Sequence, residues 1–189
     1  MKFFSLFSRL GFSNTYLVGP DDGGDALLVD PGVFDAPLLQ AVEGNGLYVR
    51  SILITHAHNA HINGIRSLLK VYKADIYSNQ PSVLDFPAHH VQDGDILSLG
   101  EFSVRVIATP GHSIDSLCFM LGHIVFTGDT LSAGGMGATR DGYARGLLLE
   151  TVRRKLLPLG DEVLLFPGHG PPTKVGIEKL YNPFLGEKL

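Results

Sequence analysis

Cysteine is nearly absent from this 189-residue chain, and tryptophan is missing altogether. One thiol, Cys118, excludes an internal disulfide framework, and its place in an apolar run makes a buried structural thiol the expectation. Such usage suits a reducing compartment, so a cytoplasmic location is expected. Positive charge is not in excess: 15 Lys and Arg stand against 19 Asp and Glu, a formal net charge of −4. That balance gives no electrostatic reason to expect nucleic acid or an anionic membrane as a partner. The one dense basic cluster, Arg153-Arg154-Lys155, is expected to be the solvated face of a helix. No apolar run approaches the roughly 18–20 residues of a membrane span. The N-terminal MKFFSLFSRLGF is interrupted by Ser5, Ser8 and Arg9 and has no small-residue cleavage site, so a first strand is expected rather than a secretion signal. Linkers and low-complexity stretches are also lacking, and the length suits one domain over residues 1–189.

What is present is an alternation of short β-rich runs with helical stretches. Residues 16–18 and 26–29 read as strands flanking a Pro-Asp-Asp-Gly-Gly turn. Asp35 is placed to cap a helix carrying Leu38, Leu39 and Val42, with Gly44 ending it. Further strands are expected at 51–55, 75–77, 96–99, 102–108, 116–121, 124–127 and 163–166, and helices at 61–72, 147–157 and 174–181. Continuous apolar strands such as SILIT, IVFT and VLLF call for sheets covered on both faces. Two sheets between helical layers and one doubly wound sheet both satisfy that pattern.

The chemistry gathers where strands end. SILIT runs into His56-Ala57-His58-Asn59-Ala60-His61, VRVIATP into Gly111-His112, IVFTG into Asp129, and VLLFPG into His169. An extended segment turns both His56 and His58 to one side, because side chains two apart share a face. His61 then follows at the start of a helix. Neutral imidazole suits zinc and iron, and a carboxylate supplies the compensating charge. The other three histidines lie elsewhere, His89 and His90 in a loop and His123 in a hairpin turn, and no metal role is expected for them.

The ordered motifs THxHxxH, TPGHS, FTGDT and PGHG resemble the metallo-β-lactamase superfamily, and within it the short glyoxalase II-like (hydroxyacylglutathione hydrolase-like) hydrolases. The resemblance runs from Asn14 through Val29-Asp30-Pro31-Gly32 to Pro183-Phe184. It implies an α/β fold, the four-layer αββα sandwich, with metal at one edge of the sheets. Residue by residue it implies His56, His58 and His112 on a first ion, His61 and His169 on a second, and Asp129 bridging both. The implied cofactor is zinc, one or two ions, or alternatively iron. The implied reaction is hydrolysis of a thioester or ester-like acyl bond in a small-molecule substrate, with metal-bound hydroxide as attacking group and Asp129 among the catalytic residues.

Three departures qualify what is carried over. The family pattern HxHxDH has an aspartate where this chain has Ala60, so the second site is expected to lack one anionic ligand and to be weakened. Relatives often carry GRTD after GDT, whereas Gly137-Ala138-Thr139-Arg140 stands here; Arg140, Tyr143 and Arg145 are residues that can meet an anionic substrate. Little sequence follows PGHGPPT, so the C-terminal helical domain through which full glyoxalase II enzymes help bind glutathione is not expected, nor is glutathione specificity. Two alternatives stand beside the hydrolase: a mononuclear iron enzyme like the persulfide dioxygenases, using His56, His112 and Asp129, and a catalytically degenerate metal-binding protein.

Overall fold

Strand patterning explains the architecture of the computed structural model, which describes residues 1–186. One six-stranded sheet is built, in spatial order, from Lys2–Phe7, Asn14–Gly19, Gly24–Val29, Leu47–Leu53, Asp75–Ser78 and His89–His90. A second runs Thr173–Lys174, Leu164–Pro167, Ile124–Gly128, Leu117–Leu121, Phe102–Ala108 and Ile96–Leu99. Along Asn14–Gly19 every residue is buried, but alternate side chains enter different cores. Tyr16 and Val18 meet Val104, Val106, Phe119 and Phe126 of the other sheet, whereas Leu17 packs with Leu38, Val42 and Ile65 from the helices outside. The second sheet repeats the division, with Val106 facing the first sheet and Ile107 facing Leu148, Val152 and Leu156. Helix, sheet, sheet and helix therefore follow one another in layers. The metallo-β-lactamase fold is the one observed, and the doubly wound alternative is excluded.

The helices carry the main local differences from expectation. Asp35 caps Ala36–Glu43 as anticipated, its Oδ1 accepting from the Leu38 N–H at 3.1 Å. The helix expected over 61–72 is instead two short turns, Asn59–Ile62 and Ile65–Leu68. Gly64 separates them: its N–H donates to the Pro31 carbonyl at 2.8 Å, and a side chain there would strike the backbone of Pro31, Val33 and Phe34. The helix expected from 147 begins earlier, at Gly142, because Asp141 caps it by accepting from the Ala144 N–H. It passes at Val152–Leu156 into a π-helical turn. Among the described residues, no helix is long and apolar enough to cross a membrane.

Candidate metal centre

All four motif loops leave their sheets at the same end and converge. His56 and His58 follow the strand Leu47–Leu53, and His61 lies in the turn Asn59–Ile62. From the second sheet come His112, after Phe102–Ala108; Asp129, after Ile124–Gly128; and His169, after Leu164–Pro167. The ligating atoms of His56, His58, His112 and Asp129 form one cluster, and those of His61, Asp129 and His169 a second. Every sequence-expected site residue is thus brought to one place. Among the described residues, His89, His90 and His123 belong to neither cluster.

In the first cluster, His58 Nδ1 lies 3.1 Å from both His56 Nε2 and His112 Nε2. Asp129 Oδ2 lies 3.7 Å from His56 Nε2 and 3.6 Å from His112 Nε2. Two ligands held 2.0–2.1 Å from one tetrahedral ion stand about 3.3 Å apart, so these spacings fit a shared cation. Three imidazole nitrogens facing one another have too few protons to satisfy each other, and a cation removes the conflict. In the second cluster His61 Nε2 is fully buried without a hydrogen-bond partner, 3.5 Å from Asp129 Oδ2. An orphaned buried nitrogen costs free energy unless something binds it.

The nitrogens pointing away from the centre are anchored. His56 Nδ1 meets Thr55 Oγ1 at 3.1 Å, His112 Nδ1 meets the Ala138 carbonyl at 2.7 Å, and His169 Nε2 meets the Gly11 carbonyl at 3.2 Å. His61 Nδ1 lies 2.9 Å from Asp30 Oδ2. This is the outer shell expected of metal-binding histidines: the far N–H donates and the near lone pair stays free. Asp30 is 2% exposed, adopts a positive φ of 50°, and also accepts from the Thr55 N–H at 2.8 Å and the Thr55 hydroxyl at 2.6 Å. Asp129 Oδ1 lies 2.7 Å from His169 Nδ1, two lone-pair atoms that a shared cation would reconcile, while Oδ2 faces His56 and His112. Gly168 permits this crowding, since a Cβ there would strike the His61 ring and the Asp129 carboxylate.

The electrostatics follow from burial and neighbours. Burial, reinforced by the proximity of His61, pushes His56 down to about 3, so this imidazole is neutral and its lone pair available. Burial also lowers His58, with His112 adding to the effect. For His61, burial lowers the pKa but is outweighed by Asp30 and Asp129, which lift it to about 10. Burial would raise Asp129, yet hydrogen bonds and charge from His61 and His169 hold it well below the usual carboxylate range.

Ala60 immediately precedes His61 of the second cluster. Its carbonyl accepts from the Ser13 hydroxyl at 2.7 Å, and the loop through Gly11 packs onto its methyl group. Of the three residues proposed to meet an anion, Arg140 and Tyr143 line a hollow beside His112, but Arg145 lies over the Phe184 ring, 5.6 Å from its centroid. The Arg153-Arg154-Lys155 cluster is not a uniform solvated face. Lys155 reaches the Ala108 carbonyl and Asp93 at 2.8 and 2.9 Å, while Arg154 pairs with Glu150 at 3.1 Å. Cys118 is fully buried, and burial pushes its thiol up to about 11, in keeping with a structural role. Asp30, Thr55 and the carbonyls of Gly11 and Ala138 had no role in the sequence reading. Asp30 and Thr55 each left a signal, Asp30 as a carboxylate directly following an apolar strand and Thr55 as the first residue of THxHxxH.

The whole arrangement is that of a metallo-β-lactamase-fold metalloprotein. The model of the metallo-beta-lactamase superfamily matches residues 8–169, and the chain belongs to that superfamily. It is 31% identical to hydroxyacylglutathione hydrolase GloC of Haemophilus influenzae, over 89% of this chain and 91% of that one. Among solved structures, ETHE1 from Myxococcus xanthus superposes with a TM-score of 0.90 at 32% identity, covering 100% of this chain and 86% of the other. A di-iron-bound form of TTHA1623 superposes with a TM-score of 0.81 at 29% identity, covering 96% and 100%.

Proposed function

We propose that this protein is a metal-dependent hydrolase that cleaves a thioester or ester-like acyl bond in a small molecule. The observation carrying this reading is the four-donor cluster of His56, His58, His112 and Asp129, with the outward nitrogens of His56 and His112 anchored. Likeness to a hydroxyacylglutathione hydrolase supports the bond type. These four residues would hold the principal ion, with zinc the expected metal. A bound ion of this kind supplies a water of lowered pKa and polarises the acyl carbonyl. The protein's part is to keep His56 neutral by burial and to fix His112 through the Ala138 carbonyl. His61, Asp129 and His169 make a second set with only three donors, which we read as a weaker site because Ala60 contributes none.

An iron enzyme of the dioxygenase type is the second reading. It needs only His56, His112 and Asp129. The His58 nitrogen, 3.1 Å from both histidines of that triad, supplies a fourth donor and favours the hydrolase. Anchored ligand histidines speak against a purely structural role for the fold, which would hardly require them. The test is to load the protein with zinc and offer S-lactoylglutathione and several acyl-coenzyme A thioesters while following thiol release. Turnover above that of free zinc is expected with at least one. Its absence at full metal occupancy, together with oxygen uptake by the iron form on glutathione persulfide, would reverse the choice.

A further inference from the structure

A groove leads away from the metal centre along one face of the helix Gly142–Thr151. Beside His112 lies a hollow of about 270 Å³ whose walls include Ser113, Ile114, Arg140, Tyr143 and Leu147. A second, of about 480 Å³, continues past Gly146 and Glu150 to Arg153 and Arg154. The two share Tyr143 and Leu147 as common walls and so adjoin one another. Tyr143, Gly146, Leu147, Glu150 and Arg154 follow the spacing i, i+3, i+4, i+7, i+11 of a single helix face.

Three features of this face lack a packing explanation. Tyr143 and Ile114 are each 82% exposed at the groove, large apolar surface that the protein leaves in water. Gly146 lies inside the helix, where glycine is less favourable than alanine, yet a Cβ there would meet nothing within 4 Å. Neither close approach nor a positive φ requires it. The same open space surrounds Gly142. Finally, the helix passes at Val152–Leu156 into a π turn, a form frequent at functional sites, and both Arg153 and Arg154 line the groove there.

We propose that this groove seats the non-reacting part of the substrate: an extended apolar arm that ends in an anion. The reacting carbonyl lies at the His112 end, the arm crosses Tyr143 and the bare Gly146 surface, and the anion meets the arginine end. The proposal rests on the hydrolase reading for the position of the carbonyl, but the groove has its own test. The anion is a phosphate on the thiol side of the scissile bond or a carboxylate on the acyl side, and two probes separate these sources.

Calorimetry on zinc-loaded protein would use S-hexyl-coenzyme A, a thioether that cannot be hydrolysed, and decanedioate. Saturable binding of at least one is expected, and which one binds identifies the side that carries the anion. Gly146→Leu should weaken that binding by about tenfold or more, the scale of a mismatch in an apolar pocket. Its helix content and zinc content should equal those of the unmodified protein. Arg154→Gln should weaken binding and flatten its dependence on ionic strength. Failure of both probes to bind, or undiminished binding to Gly146→Leu, overturns the proposal. Wild-type turnover of S-acetyl-N-acetylcysteamine, which carries neither a long apolar arm nor an anion, reports on the hydrolase reading separately. Probe binding without that turnover would retain the groove and remove the hydrolase, and turnover without probe binding would do the reverse.

Discussion

Asp30 shows how much of the centre depends on a residue that touches no ligating atom. Its carboxylate binds His61 Nδ1 and both donors of Thr55, and Thr55 in turn contacts His56. Asp30→Asn keeps the shape but removes the charge and one acceptor. Such outer partners are typically worth 10–100-fold in metal affinity, and a loss of about that size is expected in a competition titration against a zinc chelator. Ala60→Asp tests the opposite change. Restoring the carboxylate should raise the second-ion content toward two per chain by elemental analysis, and unchanged stoichiometry would show that position 60 does not face the second site. The principal ligands were legible because each follows a strand end, with glycine beside His112 and Asp129. Asp30 was less so, because nothing in its own neighbourhood indicates that it reaches His61, 31 residues further on. The Gly11 and Ala138 carbonyls could not be read at all, since a main-chain oxygen has no residue signature.

At the scale of elements, the apolar runs foretold the strands well, because burial on both faces leaves few alternatives to Leu, Ile, Val and Phe. Helices were harder. The stretch 61–72 keeps helical spacing, but the Gly64–Pro31 contact breaks it into two turns, and that contact comes from the chain 33 residues earlier. The helix Gly142–Thr151 offers a direct check on its bare face. Gly146→Ala should stabilise the protein by about 0.5–1 kcal/mol, because no backbone requirement offsets the entropic cost of glycine. For a chain of this size the melting temperature should rise by roughly 2–4 °C per kcal/mol. A drop would show that Gly146 serves the fold after all.

For the whole molecule, the buried histidines tie stability to pH in the metal-free state. His56 stays neutral in the fold down to about 3, while its unfolded counterpart takes up a proton near 6.5. Stability is therefore lost as pH falls through that window. His61 is raised to about 10, so its contribution is complete below 6.5 and is lost as pH rises toward 10. Together they predict a stability maximum near pH 6.5 for chelated protein. Thermal melts from pH 4 to 10 would show it; no decline above pH 6.5 would contradict the His61 assignment, and no decline below it would contradict that of His56.

The donors of the first cluster come from both sheets, His56 and His58 from one and His112 and Asp129 from the other. An ion shared among them acts as a rivet: it closes chain loops between residues 58 and 112 and between 112 and 129, much as a crosslink would. Its removal should leave the hydrophobic layer between the sheets intact while freeing one rim of the sandwich. Hydrogen exchange after chelation is then expected to quicken first at the strand ends around Thr55, Ala108 and Gly128, and only later at Val18, Val106 and Phe119. A single ion would thus set the order in which this protein comes apart, starting at the edge where it does its chemistry.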